Sequence, residues 1–547
     1  MTATGPAPKT YREVERKLRV HARFQLPDLT AGPVVRADPR QVLTLTATYY
    51  DTADLRLARE GVTLRRREGG EDDGWHLKLP ADDQAPGARD EIRLPLTDAS
   101  GTTVVNPPRE LLNLVLGLTR RRAVEPVATL RTERTPWNLV AVDGRTIAEL
   151  TDDSVSVLDG ARVAGSFREL EVESREGTEM EIDAVVAVLV AAGAIEGGLP
   201  PKVVRALGPA AVAPPDITRP GKVRPHDRAG DALTAHLARH TRALIDQDLR
   251  RRRGLPDAVH QVRVAARRLR SGLKVFTPLV DASWAEGLRT ELAWIAAELG
   301  EVRDREVLEE RLLRDLAALP AIDPATAHPG ATGVVAAAAG GGVAGVDRTD
   351  TRDVAAAMSV VRRAFDDERA RAEAEVDEAM ASPRFLALLD ALVAAANAPA
   401  LTDAAQARCD TALPPLVSKA WRRLAREADQ LELAGSDDSW HEVRKSAKKA
   451  RYAVEALIPV FGAPAKDFAG HIERVTELLG EHQDAVIAAD TSRRLAGGRR
   501  VTGTTGFVLG LLHEAERGAA TATRHEFVRV WPEVSLRRHR AWLTSGA

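Results

Sequence analysis

The sequence predicts two unlike domains on one chain, a β-rich N-terminal part followed by an all-α part, and three observations predict it. Short runs that alternate charged and aliphatic residues dominate the first two hundred positions. Pro209, Pro214, Pro215, Pro220 and Pro225, with Gly208 and Gly221, then interrupt any regular element and read as a linker. After them Ala, Leu, Arg and Glu recur at helical spacing. At 547 residues the chain exceeds the roughly 250 to 300 residues at which single cores stop growing. The expected boundaries are 1–208, a linker over 209–227, and 228–547. The helical part is expected as halves of about 228–319 and 350–547, either side of a Gly/Ala-rich loop over about 320–349.

The β-rich part begins with Glu13-Val14-Glu15-Arg16-Lys17, whose period-two alternation points Glu13, Glu15 and Lys17 from one strand face. Leu64-Arg65-Arg66-Arg67, His76-Leu77-Lys78-Leu79, Glu91-Ile92-Arg93-Leu94 and Glu169-Leu170-Glu171-Val172-Glu173 repeat the arrangement. A one-sided sheet would show these charges to water; a closed barrel would turn them inward around a polyanion and its metal ions. Periodicity fits both.

Composition narrows the function classes. The 77 basic and 79 acidic residues nearly cancel, so any anion binding must come from local clustering. The single cysteine, Cys409, forbids an intramolecular disulfide and reads as a buried, inert thiol. Met1 to Lys9 lacks a basic segment followed by an apolar core, and no apolar run approaches the 18 or so residues of a membrane span. The expectation is therefore a soluble, cytoplasmic protein without a membrane partner. Nucleic acid is disfavoured because stacking aromatics are scarce, at 4% of the chain. Nothing in the composition speaks to oligomeric state.

The helical part repeats itself. Aligning His260 with His441 places Val262 on Val443, Arg263 on Arg444, Ala266 on Ala447, Arg267 on Lys448, Arg270 on Arg451 and Pro278 on Pro459. Leu299-Gly300-Glu301 and Asp304 then answer Leu479-Gly480-Glu481 and Asp484, with a one-residue offset. Val262, Ala266, Leu269, Leu273 and Phe276 form an apolar face, beside a cationic row of His260, Arg263, Arg267, Arg270 and Lys274. Like charges at these spacings repel by a few tenths of a kcal/mol per pair. An anion would remove that cost, and so would acidic partners such as Glu301, Asp304, Glu481 and Asp484. His236 and His240 stand four apart with no third ligand at suitable spacing, so they read as packing residues rather than a zinc site.

The strand motifs together resemble the CYTH domain of the triphosphate tunnel metalloenzymes. The resemblance is carried by the ExExK opening, Tyr49-Tyr50-Asp51-Thr52, Arg65 and Arg67, Lys78, Arg134, Glu149 with Asp153, the Glu169/Glu171/Glu173 strand, and Lys202 with Arg205. It spans about the first 210 residues and implies an antiparallel barrel tunnel with covering helices. It also implies a metal-dependent triphosphatase acting on inorganic triphosphate. Oxygen donors suit hard cations, so Glu13, Glu15, Glu171 and Glu173 are the expected ligands of Mg²⁺ or Mn²⁺, with Glu169, Glu149 and Asp153 as second choices. Lys17, Arg65, Arg67, Lys78, Arg134, Lys202 and Arg205 would bind the phosphates. Lys17, Glu171 and Tyr50 are the catalytic candidates, with Tyr49 the alternative to Tyr50. Adenylyl cyclases and thiamine triphosphatases share the fold but need a pocket for a ring; Trp75 and Trp137 would supply one, or would simply belong to an apolar outer layer.

The helical motifs resemble the CHAD domain over about Arg228 to Leu543, which implies paired helical bundles whose basic cavity binds inorganic polyphosphate. His260, Arg263, Arg267, Arg270, Lys274 and Arg303 in the first half, and His441, Arg444, Lys448 and Arg451 in the second, are the residues this resemblance singles out. Two departures stand out: Gln483-Asp484 replaces Arg303-Asp304, and the Gly/Ala-rich insertion parts the halves. The competing function is a non-catalytic polyphosphate binder that targets granules, against which stand carboxylates that would repel a polyanion without metal.

Overall fold

The structure, a computed structural model, describes residues 9–82, 87–98, 100–197, 199–319, 351–498 and 501–544. The expected loop over 320–349 lies outside them. The side chains of 301–303 also lie outside the described residues, and with them the Arg303 assignment. The chain divides into two compact units, Met1–Thr218 and Arg219–Ala547.

The first unit is a closed antiparallel barrel. Its strands are β1 (Lys9–Arg19), β2 (Arg36–Pro39), β3 (Leu43–Asp51), β4 (Thr63–Glu68), β5 (Gly74–Pro80), β6 (Ala88–Leu94), β7 (Glu125–Val140), β8 (Thr146–Asp159), β9 (Arg162–Ser174) and β10 (Ile195–Glu196). The order β1-β6-β5-β4-β3-β7-β8-β9 closes because β1 also pairs with β9; β2 and β10 sit at the margin. Closure decides which way the alternation faces. Lys17 lies directly opposite Glu171 and Glu15 opposite Glu173, so the charged faces of both strands share one side. The other side is apolar. Leu18, Leu139, Leu150, Leu170 and Val172 pack against Ile182, Val185, Val186 and Leu189 of helix α1 (Glu179–Ala191), which opens on a Thr178–Glu181 capping box. Each aliphatic side chain buried there contributes about 1.5 to 3 kcal/mol, and this outer core holds the charged interior together. At one end, helix α2 (Lys202–Leu207) packs Val203 and Val204 against Ala47, Tyr49, Leu130 and Val155.

The second unit is helical. Helices α3 (Ala229–Arg252), α4 (Ala258–Val275) and α5 (Ala282–Ala318) pack in sequence, as do α8 (Pro414–Ala428), α9 (Asp437–Glu455), α10 (Ala463–Ala496) and α11 (Gly503–Val534). The apolar stripe Val262, Ala266, Leu269, Leu273 and Phe276 is wholly buried. Between these groups, α6 (Thr351–Ala381) packs on both α5 and α11, whereas α7 (Pro383–Asn397) packs on α3 and α5. The chain after α7 stays with the first group: Asp281 donates to the Ala400 carbonyl, and Ala229 to that of Ala407. The expected second half, 350–547, is thus divided in space, with α7 and the chain to Cys409 lying beside the first repeat.

Candidate functional site

The barrel encloses a cavity of about 610 Å³. Glu13, Glu15, Lys17, Arg65, Arg67, Lys78, Arg134, Glu149, Glu171, Glu173 and Lys202 all line it, arriving from β1, β4, β5, β7, β8, β9 and α2. The interior neutralises itself through ion pairs across strands. The Lys17 ammonium lies 2.6 Å from Glu171 and 3.2 Å from Glu15. Lys202 stands among Glu171 at 2.7 Å and Asp153 and Glu169, both at 3.0 Å. Arg134 forks onto Asp153 at 2.8 and 2.6 Å and reaches Glu171 at 3.0 Å. Lys78 bonds Glu13 at 2.5 Å.

These contacts set the protonation states. Burial opposes the charge on Lys202, but Glu171, Asp153 and Glu169 outweigh it and hold the ammonium well above its ordinary range. Lys17 is raised in the same way, with Glu171 its strongest counter-charge. Burial would raise Glu171, yet Lys17, Lys202 and Arg134 hold it well below the usual carboxylate range. Glu173 moves upward, through burial and the nearness of Glu13 and Glu149 despite Arg175. Arg67 is pushed down to about 9 by burial and by Arg65 and Arg134. An interior that crowds both carboxylates and cations is one that a metal-bound polyanion would relieve on both counts.

Several expected residues take other roles. Tyr49, not Tyr50, lines the cavity, with its hydroxyl 3.5 Å from Arg65. Tyr50 turns outward, its ring centroid 5.1 Å from that of Trp75 and its hydroxyl donating to the Val105 carbonyl. Plain alternation along β3 separates them: Leu43, Leu45 and Tyr49 line the cavity at even steps and Tyr50 faces away, while the bulge beside them falls on β7, where Val127 is passed over between the partners Ala128 and Pro126. Asp51 of the same motif is structural, accepting from the amides of Thr52, Leu57 and Ala58. Arg205 lies outside the lining, paired with Glu169 and 3.8 Å from the Phe167 ring centroid. Trp75 is buried in the outer layer, donating to the Val104 carbonyl, and Trp137 packs on the outer core. Sequence reasoning missed Arg89 and Arg93, which also line the cavity; Arg93 sits in the same alternating run as Glu91 and was legible there.

The donor set fits a hard divalent cation. Glu15 and Glu149 both stand directly opposite Glu173, and like charges so placed are unfavourable without a bridging cation. Among the described residues, however, no three carboxylates converge as a preformed ligand cluster. The lysines presently hold positions a cation would share.

In the helical unit, α4 and α9 bring the repeated stripes together. Lys448 is pushed down to about 8 by burial and by Arg444 and Arg267, with Arg263 also near. Arg267 is lowered by burial and by Arg263, Arg268 and Arg451, although Tyr452 counters, its ring centroid 5.3 Å from the guanidinium. Acidic partners meet part of this charge. Arg263 forks onto Asp304 at 2.6 and 3.1 Å, and Arg444 lies 3.9 Å from Asp484. Gly300 and Gly480 lie beneath these two guanidinium groups. Glu481 instead joins Arg311 at 2.7 Å, and Arg451 pairs with Glu455 and Glu473. His441 contacts Gln483 at 2.7 Å; His260 and Arg270 are half-buried on α4, and Lys274 is exposed. His236 packs in the core against His240 and Phe276 and reaches the Arg268 carbonyl at 3.1 Å.

A closed barrel with a charge-filled interior, joined to a helical unit with a central cationic cluster, defines a tunnel fold carrying a helical module. Comparison with known proteins gives that class its family. The chain belongs to the CYTH–CHAD proteins: the CYTH domain matches residues 11–189 and the CHAD domain residues 235–493. A Mycobacterium tuberculosis relative, uncharacterized protein MT2285, is 31% identical over 580 residues, covering 98% of both chains. Among solved structures, PptA from Streptomyces chartreusis is similar at 27% identity and a TM-score of 0.44, covering 56% of this chain and all of that one. The CHAD domain from the plant Ricinus communis is similar at 19% identity and a TM-score of 0.38, covering 60% of this chain and 95% of that one. CYTH proteins are triphosphate tunnel enzymes, generally dependent on divalent metal, and CHAD domains are associated with polyphosphate.

Proposed function

We propose that the barrel hydrolyses inorganic tripolyphosphate with a divalent cation, Mg²⁺ or Mn²⁺, and that the helical unit binds polyphosphate through the facing stripes of α4 and α9. The observation that carries the reading is the lining itself. Cations from five strands and a helix alternate with carboxylates, and among the described residues Tyr49 is the only aromatic side chain there. A nucleobase or a thiazole ring would find no stacking partner besides it, so an inorganic chain fits better than an organic triphosphate.

Glu13, Glu15, Glu171 and Glu173 would hold the cation, which supplies charge neutralisation and activation of water. Arg65, Arg67, Lys78, Arg134 and Lys202 would orient the phosphate oxygens, which is most of what phosphoryl transfer asks of a protein. Lys17, kept protonated by Glu171 and Glu15, stands ready to stabilise charge on the departing phosphate. Tyr49 is drawn below its ordinary range: burial opposes, but Arg65, Lys202 and Lys78 outweigh it. That makes its hydroxyl a stronger donor beside the same group.

Phosphate release from tripolyphosphate, ATP, thiamine triphosphate and long-chain polyphosphate, with and without Mg²⁺ or Mn²⁺, tests the reading. Metal-dependent turnover favouring tripolyphosphate is expected. Full activity after complete chelation, or cyclic AMP as the main product from ATP, would sink it. Binding of polyphosphate without any turnover would favour the granule-targeting alternative.

A further inference from the structure

One pair in the barrel lies beneath its lining. His76 on β5 and Glu91 on β6 project from the inward face, opposite Arg65 and Lys78 respectively. Yet His76 is 1% exposed and Glu91 0%, covered by the cations around them. The imidazole joins two separate parts of the wall. Its Nδ1 lies 2.8 Å from Glu91 Oε1, and its Nε2 lies 2.9 Å from the carbonyl oxygen of Asp72, in the turn between β4 and β5.

Both ends lead to cations. Glu91 pairs with Arg93 and stands 3.5 Å from Arg65 and 3.6 Å from Lys78. The Asp72 carboxylate pairs with Arg67 and lies 3.7 Å from Arg93. One ring therefore reaches, at a single remove, four lining cations from three strands. Each nitrogen faces an oxygen that accepts only, so the two contacts compete for protons. Burial pushes the ring toward its neutral form, to about 3, and Glu91 opposes that push.

We propose that His76 is a positioning residue for the tunnel, fixing Arg65, Lys78 and Arg93 through its contact with Glu91 and Arg67 through its contact with the Asp72 carbonyl. The proposal rests on the tripolyphosphate reading for its catalytic consequence and not for its structural one. His76 does not touch the cavity, so its loss should act through these cations and be felt in substrate binding more than in the chemical step.

Three substitutions separate the contacts. His76→Phe removes both, His76→Asn keeps a donor near the Nδ1 position toward Glu91, and His76→Gln keeps one near Nε2 toward Asp72. In the full-length protein His76→Phe should raise KM for tripolyphosphate on the order of tenfold or more, the scale of one lost hydrogen bond to a charged group. Its kcat should stay within about threefold, and His76→Asn should recover most of the KM. An unchanged KM, a loss confined to kcat, or an Asn variant no better than Phe overturns the proposal. If His76→Phe does not fold, Asn against Gln decides: a lower KM for Asn supports it, equal KM values overturn it. Amide hydrogen exchange over Gly70 to Asp73 reads the link without any activity. Faster exchange in His76→Phe or His76→Asn, restored in His76→Gln, supports the proposal; unchanged protection in all three overturns it. A wild type that neither binds nor hydrolyses tripolyphosphate would overturn the functional reading alone and leave the exchange result to decide this one.

Discussion

Lys202→Met should destabilise the barrel and leave the helical unit alone. The ammonium sits 2.7 to 3.0 Å from three carboxylates that are almost wholly buried. At about 3 Å and an effective dielectric of about 20, each such contact is worth about 5 kcal/mol before desolvation. Removing one partner from a buried cluster costs about 3 to 5 kcal/mol, because the remaining charge is left uncompensated. Here Lys17 and Arg134 still hold Glu171, Arg134 still holds Asp153, and Arg205 still pairs with Glu169, which puts the loss at the lower end, about 3 kcal/mol. For a unit of this size that is a fall of roughly 6 to 12 °C in Tm. The measurement belongs near pH 7. Lys202 has a raised folded pKa, so its contribution is whole below the unfolded value of about 10.4 and fades as pH rises through the folded one. Glu171 has a lowered folded pKa, so its contribution is whole above about 4.3 and fades as pH falls. Differential scanning calorimetry of the full chain should show the barrel transition move, and the Lys202→Met/Glu171→Gln double variant should lose about 1 to 2 kcal/mol less than the sum of the two single variants. An unmoved transition, or strictly additive losses, would refute the claim that Lys202 neutralises this cluster.

Glu13→Gln should cut kcat for tripolyphosphate by 100-fold or more with a smaller change in KM, since a metal ligand matters most as charge develops in the transition state; steady-state kinetics across Mn²⁺ concentrations checks it. Tyr49→Phe should slow turnover measurably and Tyr50→Phe should not, because only Tyr49 lines the cavity. Replacing Arg263, Arg267 and Arg270 together with alanine should weaken polyphosphate binding and flatten its salt dependence, with tripolyphosphate hydrolysis nearly unchanged; titration at two salt concentrations decides it. Lys448, at about 8, must take up a proton to meet a polyanion in alkaline solution. Polyphosphate affinity should therefore fall by up to about tenfold per unit above pH 8, and Lys448→Arg should abolish that slope.

The charged face of each strand was legible because alternation needs only neighbouring residues, and the same holds for the two helical stripes. Closure was not legible from the residues themselves. It depends on β1 pairing with β9 across about 150 positions, and alternation is identical in an open sheet. Tyr49 and Tyr50 face opposite ways by plain alternation, but which of the two faces inward depends on how β3 is set against its distant partner β7 in the closed barrel. His76 and Glu91 escaped for a different reason. Their runs were recognised as strands, but which inward residues stand at the surface of the cavity and which lie under it depends on side-chain length and neighbours, here the arginines that cover them. The division of the helical halves was hidden too, because the chain after α7 rejoins the first repeat through backbone bonds that any sequence can make.

The ion pairs that fill the barrel make it a frozen ionic solvent. Lys17, Lys202 and Arg134 already coordinate the carboxylates that water would otherwise hydrate, so stripping those groups of water is accomplished during folding and not during binding. An arriving polyanion and its counter-cation can then exchange partners, cation for lysine and phosphate for carboxylate, with little change in the number of ionic contacts. The dipoles and charges need to turn only slightly. Reorganisation energy in this interior is accordingly small, and the outer apolar core of α1 and its strands, remote from any phosphate, is what keeps it so.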